Sequence, residues 1–71
     1  MPKLHSSDHI IKVLCKHGFV FVSQRGSHVK YRKKAKPMLT VIIPAKRKEI
    51  PLGTFRSILR QANLKEENFV A

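Results

Sequence analysis

Eight residues, Gln24-Arg25-Gly26-Ser27-His28-Val29-Lys30-Tyr31, constrain this chain more than any other stretch. Gly26 can adopt the positive φ that a tight hairpin needs, and the flanking runs Phe19-Val20-Phe21-Val22 and Val29-Lys30-Tyr31-Arg32 are rich in β-formers. The pattern predicts a β-hairpin turning near Arg25-Gly26. Beyond the turn, period 2 puts Val29 and Tyr31 on one face of the second strand and His28, Lys30 and Arg32 on the other. One face is apolar; the other is basic and carries an imidazole.

The neighbouring segments read as support for that platform. Ser6-Ser7-Asp8 offers N-cap oxygens and a first-turn carboxylate, and Ile10, Ile11, Leu14 and Cys15 recur at helical spacing, which predicts a helix from about Ser7 to His17 with Gly18 as its αL cap. Within that apolar pattern the Cys15 thiol is expected to be buried. His5, His9 and His17 have no third ligand at metal-binding spacing and are expected to be solvated. A first strand runs from about Phe19 to Ser23; its unbroken apolar character predicts either burial on both faces or a reach toward a partner. The second strand spans about Ser27 to Lys33. Lys34-Ala35-Lys36-Pro37 is a basic connection, and Leu39 to Ile43 forms a third strand stopped by Pro44. Phe55, Ile58, Leu59 and Ala62 stand at i, i+3, i+4 and i+7 of a second helix, with Gly53 and Thr54 as candidate caps and Asn63 suited to close it in αL. A last helical turn ends at Phe69, and the tail beyond is expected to fray.

The order α-β-β-β-α with short links predicts an α+β fold. A three-stranded antiparallel sheet carries both helices on one face, as in the double-stranded-RNA-binding domain, followed by a short C-terminal helical turn. At 71 residues the chain is expected to form a single domain, 1–71.

Charge narrows the partners. Fifteen Lys and Arg against four Asp and Glu give a net charge of +11, and no acid stands between His9 and Lys48. Such a span repels itself unless something negative binds, so a nucleic acid or an acidic protein is expected. The single cysteine rules out an internal disulfide and multi-cysteine zinc sites. With no leader-like N-terminus and no apolar run near the ~18 residues of a membrane span, a cytoplasmic location is expected.

Gly18-Phe19, Arg25-Gly26-Ser27-His28 with Tyr31, Val41 to Pro44, Glu49-Ile50 and Gly53-Thr54-Phe55-Arg56-Ser57-Ile58-Leu59-Arg60-Gln61-Ala62 together resemble the HicA family of mRNA interferase toxins. The resemblance covers about residues 6–64, leaving 65–71 as a short extension. It implies a double-stranded-RNA-binding-like fold, ribosome-independent cleavage of mRNA, and neutralisation by a HicB-type antitoxin in a hetero-oligomer. The family's catalytic histidine maps onto His28. Where family members often carry a second histidine, two residues after the proline that ends strand three, this chain has Lys46, so a two-histidine pair is not available there. Asn63 replaces the glycine commonly found after the second helix.

The chemistry can be argued beside the resemblance. Single-stranded RNA brings its own nucleophile, the 2′-OH, so its cleavage needs a base that works near neutral pH and cations for the extra phosphate charge. Histidine is the side chain suited to that proton transfer. Four acids with no pair in the basic span cannot build a two-metal site, so cleavage without metal or other cofactor is expected. Ser27, Lys30, Arg32, Lys33, Lys34, Lys46 and Arg47 are the expected RNA-binding residues. Lys30, Lys46 or Arg47 would stabilise developing charge, and Ser27 would orient His28 or the phosphate. A non-catalytic RNA-binding module and a basic protein-interaction subunit remain alternatives.

Overall fold

The computed structural model describes residues 4–70. Helix α1 (Ser7–Lys16) starts where Ser6, in extended backbone, accepts the His9 amide on its hydroxyl at 3.1 Å. Asp8 in the first turn and Lys16 in the last complement the helix dipole. Ile10 and Leu14, one turn apart, are fully buried. The chain leaves through Gly18 at φ 95°, and the Phe19 amide returns to the Leu14 carbonyl at 3.0 Å.

Strands β1 (Val20–Arg25), β2 (His28–Lys33) and β3 (Leu39–Pro44) form an antiparallel meander in the order β1-β2-β3. Arg25 pairs with His28 across a two-residue turn, Gly26-Ser27, in which Gly26 has φ 60° and Ser27 does not enter positive φ. That sign pattern belongs to a type II′ turn, which requires glycine first. The turn is thus centred one residue later than the sequence pattern placed it. A register shift between Phe21 and Ser23 makes room for Val22 as an extra residue.

Helix α2 (Leu52–Ala62) also begins earlier than expected. Its first intrahelical bond runs from the Phe55 amide to the Pro51 carbonyl at 2.9 Å, so Gly53 and Thr54 lie inside the first turn rather than capping it. Asn63 closes the helix in αL at φ 56°, ψ 41°, and a 3₁₀ turn (Glu66–Phe69) follows. The two helices cover one face of the sheet. Val29 and Tyr31 of β2 and Val41 and Ile43 of β3 form one buried core there with Ile10 and Leu14 of α1, Phe55, Ile58, Leu59 and Ala62 of α2, and Phe19, Ile50 and Phe69.

Two expectations fail for reasons of packing, and one of two alternatives for β1 is excluded. Cys15 is exposed, because only the Ile10–Leu14 line of α1 faces the sheet and the next residue is turned about 100° away. All of β1 is exposed, with Val20 at 63%, Phe21 at 57% and Val22 at 39%: as the outer strand it lies beyond the helix layer, so burial on both faces is excluded. His5 and His9 are not simply solvated. Their rings stack at 4.9 Å, His5 rests on Phe55 at 4.8 Å, and the His9 ring N–H donates to the Phe69 carbonyl at 2.8 Å. The opposite sheet edge is closed: Gln61 of α2 accepts the Ile42 amide on Oε1 at 3.1 Å.

Candidate active site around His28

The face of the sheet away from the helices is built in rows, because residues paired across antiparallel strands share a face. The first row is Arg25, His28 and Pro44; the second is Ser23, Lys30 and Ile42; the third is Val20, Arg32 and Thr40. The alternation that buries Val29 and Tyr31 under the helices therefore turns His28, Lys30 and Arg32 outward, each about 6–7 Å from the next along the strand. Around His28 the surface dips into a depression of about 600 Å³ lined by Ser23, Gln24, Arg25, His28, Val29, Lys30 and Ile42.

His28 is exposed, and among the described residues its ring makes no hydrogen bond. Lys30 and Arg32 are half-buried. Among the described residues no group accepts a hydrogen bond from the buried Nε of Arg32. No acid lies on these rows, so the face is uniformly positive.

The loop after β3 adds Lys46 and Arg47 beside the first row, since it continues directly from Pro44, the partner of His28. The Ala45 amide donates to the Ser27 carbonyl at 2.7 Å, tying this loop to the hairpin turn. Lys46 is held in αL at φ 55°, an uncommon conformation for a lysine.

Of the expected RNA-binding residues, Lys30 and Arg32 share the outer face with His28, Ser27 precedes it in the turn, and Lys46 and Arg47 lie in the loop that follows its partner Pro44. Lys33 and Lys34 stand apart from them. Lys33 pairs with Leu39 on the helix side of β2, and its ammonium sits 5.9 Å from the centre of the Phe19 ring. Lys34 lies in the following connection, about 20 Å along the strand direction from His28. Arg56 and Arg60 are exposed on α2, in the other layer. Arg25 belongs to the site although the sequence reading passed over it; the hairpin register, once centred on Gly26-Ser27, is the signal that finds it.

Two further features bear on chemistry. Burial raises the Tyr31 hydroxyl above its ordinary value of 10.0, and the nearby Cys15 sulfur raises it further when ionised. Among the described residues there is no group of three His, Cys, Asp or Glu able to hold a metal ion, and no helix long and apolar enough to cross a membrane.

A helix, three antiparallel strands and a second helix, with one sheet face open and carrying His28, Lys30 and Arg32, define a small α+β domain with a basic open face. Residues 7–64 match the family described as the HicA toxin of bacterial toxin-antitoxin systems. The chain belongs to that family, and its role is that of the toxin in a pair with an antitoxin. No curated protein matches it.

Proposed function

We propose that this toxin is an endoribonuclease that cleaves single-stranded mRNA through His28. The observation that carries the reading is the first row of the sheet: an exposed histidine paired with Arg25 on one side and with Pro44 on the other, in an open depression that Arg25 and Lys30 also line, with Lys46 and Arg47 in the loop that follows Pro44. RNA laid over this face sets a 2′-OH against His28. The imidazole takes the 2′ proton, the 2′ oxygen attacks the adjacent phosphorus, and the 5′ oxygen leaves with a proton from solvent, so that a cyclic phosphate remains on the upstream fragment. Charge that builds on the phosphate oxygens is met by Lys46, Arg25 and Lys30, in place of the second imidazole common in the family. Arg32, on the same outer face two rows from His28, is proposed to meet a backbone phosphate further along the strand. The chain's few acids supply no ligand set for a catalytic cation, so the reaction is proposed to run without one.

The antitoxin is proposed to be an acidic, HicB-type chain that covers the same open face. Charge complementarity with a +11 protein speeds its association, and its carboxylates compete with phosphates for the same cations. The test is an RNA-cleavage gel with purified wild type and His28→Ala, run in EDTA. Cleavage by the wild type alone supports the reading. Cleavage by both forms removes His28 from the chemistry, and RNA binding without cleavage by either form reduces the protein to a binding module.

A further inference from the structure

Ser7 is the one buried polar residue among those described, at 1% exposure, and the helix it begins does not need it as a cap, since Ser6 holds that place. Its bonds go elsewhere. The Ser7 hydroxyl donates to the Pro44 carbonyl at 2.6 Å and accepts from the Arg47 amide at 2.9 Å, while the Ser7 amide donates to the Arg47 carbonyl at 2.9 Å. Three bonds from one residue therefore grip both ends of the segment Pro44 to Arg47. Lys46 sits inside that grip in αL, a conformation that costs a non-glycine residue of order 1–3 kcal/mol and persists where surrounding structure over-determines it. The bond from Ala45 to Ser27 holds the third side of the loop against the hairpin turn that presents His28.

We infer that Ser7 is a positioning residue for RNA cleavage: by clamping Pro44 and Arg47 from the start of α1 it fixes Lys46 in the loop that follows Pro44, the residue paired with His28. The inference rests on the cleavage reading and deepens it. A loop released from Ser7 relaxes Lys46 out of αL, and the ammonium loses its place relative to the phosphate that His28 addresses. Misplacement of a charge-stabilising group by about 1 Å costs roughly a hundredfold in rate. Binding of RNA changes little, because many cations share the backbone contacts.

The experiment compares Ser7→Ala with Ser6→Ala, which removes the neighbouring helix cap and leaves the clamp intact. Single-turnover cleavage at saturating RNA is expected to fall by about a hundredfold in Ser7→Ala at nearly unchanged RNA affinity. It is expected to stay near wild type in Ser6→Ala even where the two variants melt at similar temperatures. In Ser7→Ala the Arg47 amide is expected to lose its protection from hydrogen exchange. In the double variant with Lys46→Ala, the Ser7→Ala effect is expected to vanish, because the residue it acts through is gone. If Ser7→Ala fails to fold, Ser7→Cys under reducing conditions keeps the volume with a weaker donor, and its rate is expected to fall between the other two. Folded Ser7→Ala that cleaves at the wild-type rate, or single effects that multiply in the double variant, overturn the positioning role alone. Wild-type protein that leaves RNA intact overturns the cleavage reading and the role together.

Discussion

Replacing Phe69 by alanine tests how far the fold depends on residues beyond the family match, which ends at residue 64. Phe69 is 1% exposed, its ring meets the Phe55 ring edge-on at 5.2 Å, and its carbonyl accepts from the His9 ring. Truncating a buried phenylalanine costs about 3–5 kcal/mol. A domain of this length has a total stability of order 4–11 kcal/mol at 0.05–0.15 kcal/mol per residue. The substitution therefore removes about a quarter of the stability or more. Urea unfolding followed by circular dichroism is expected to show a midpoint lowered by at least about a quarter with an unchanged slope. A chain ending at Leu64 is expected to be destabilised comparably. A loss below about 1 kcal/mol, the range of a surface substitution, would refute the argument and return the last 3₁₀ turn to the status of an appendage.

The remaining predictions read other parts of the packing. Because the Tyr31 hydroxyl is held above 10.0 in the folded state, its contribution to stability is complete below that value and is lost as pH rises through the folded pKa. Stability is expected to drop more steeply in strong alkali for wild type than for Tyr31→Phe, and with a single tyrosine in the chain the titration can be followed directly by tyrosinate absorbance. Gln61→Ala strips the cap from the Ile42 amide and the bond from Gln61 Nε2 to the Ser57 hydroxyl, for an expected loss of about 1 kcal/mol in the same urea assay.

The elements were legible in the sequence where their signals are local. The Ser6-Ser7-Asp8 cap, the Ile10–Leu14 and Phe55–Ala62 stripes, the glycine of the hairpin and the alternation of β2 each depend on residues a few places apart, and each led to the observed element. What stayed hidden depends on distant partners. An apolar run such as Val20-Phe21-Val22 reads the same in a buried strand and at an exposed edge, and the strand order alone separates them. His5 and His9 find Phe55 and Phe69 from the other end of the chain. Ser7 meets its partners 37 and 40 residues away, so nothing near it announces the clamp. At the site, His28, Lys30 and Arg32 followed from period 2. The same rule, applied one residue further, already set Lys33 on the opposite face, where its contact with Phe19 keeps it.

The uniform charge of the open face has a consequence for stability as well as for binding. Arg25, Lys30 and Arg32 stand on neighbouring rows with no acid among them, so the folded protein holds like charges close together and any bound polyanion relieves that repulsion. A ligand that binds the folded state alone stabilises it by RT ln(1 + [L]/Kd), about 2.7 kcal/mol at a hundredfold excess over Kd. For a domain of this size that corresponds to a rise in Tm of roughly 10–20 °C. Thermal melts of His28→Ala with a single-stranded RNA oligonucleotide are expected to show that rise at low salt, the variant being the one for which the proposed reaction predicts no cleavage during the scan. Each phosphate contact contributes about 0.7 to the salt slope on a single strand, so replacing Arg25, Lys30 and Arg32 together by glutamine is expected to reduce the slope by about 2. Replacing Lys33 and Lys34 instead is expected to change it less, since neither stands on the His28 rows. A Tm shift that survives high salt, or a slope that responds more to Lys33 and Lys34 than to the three residues beside His28, would place the anion on another surface and separate RNA binding from the open face.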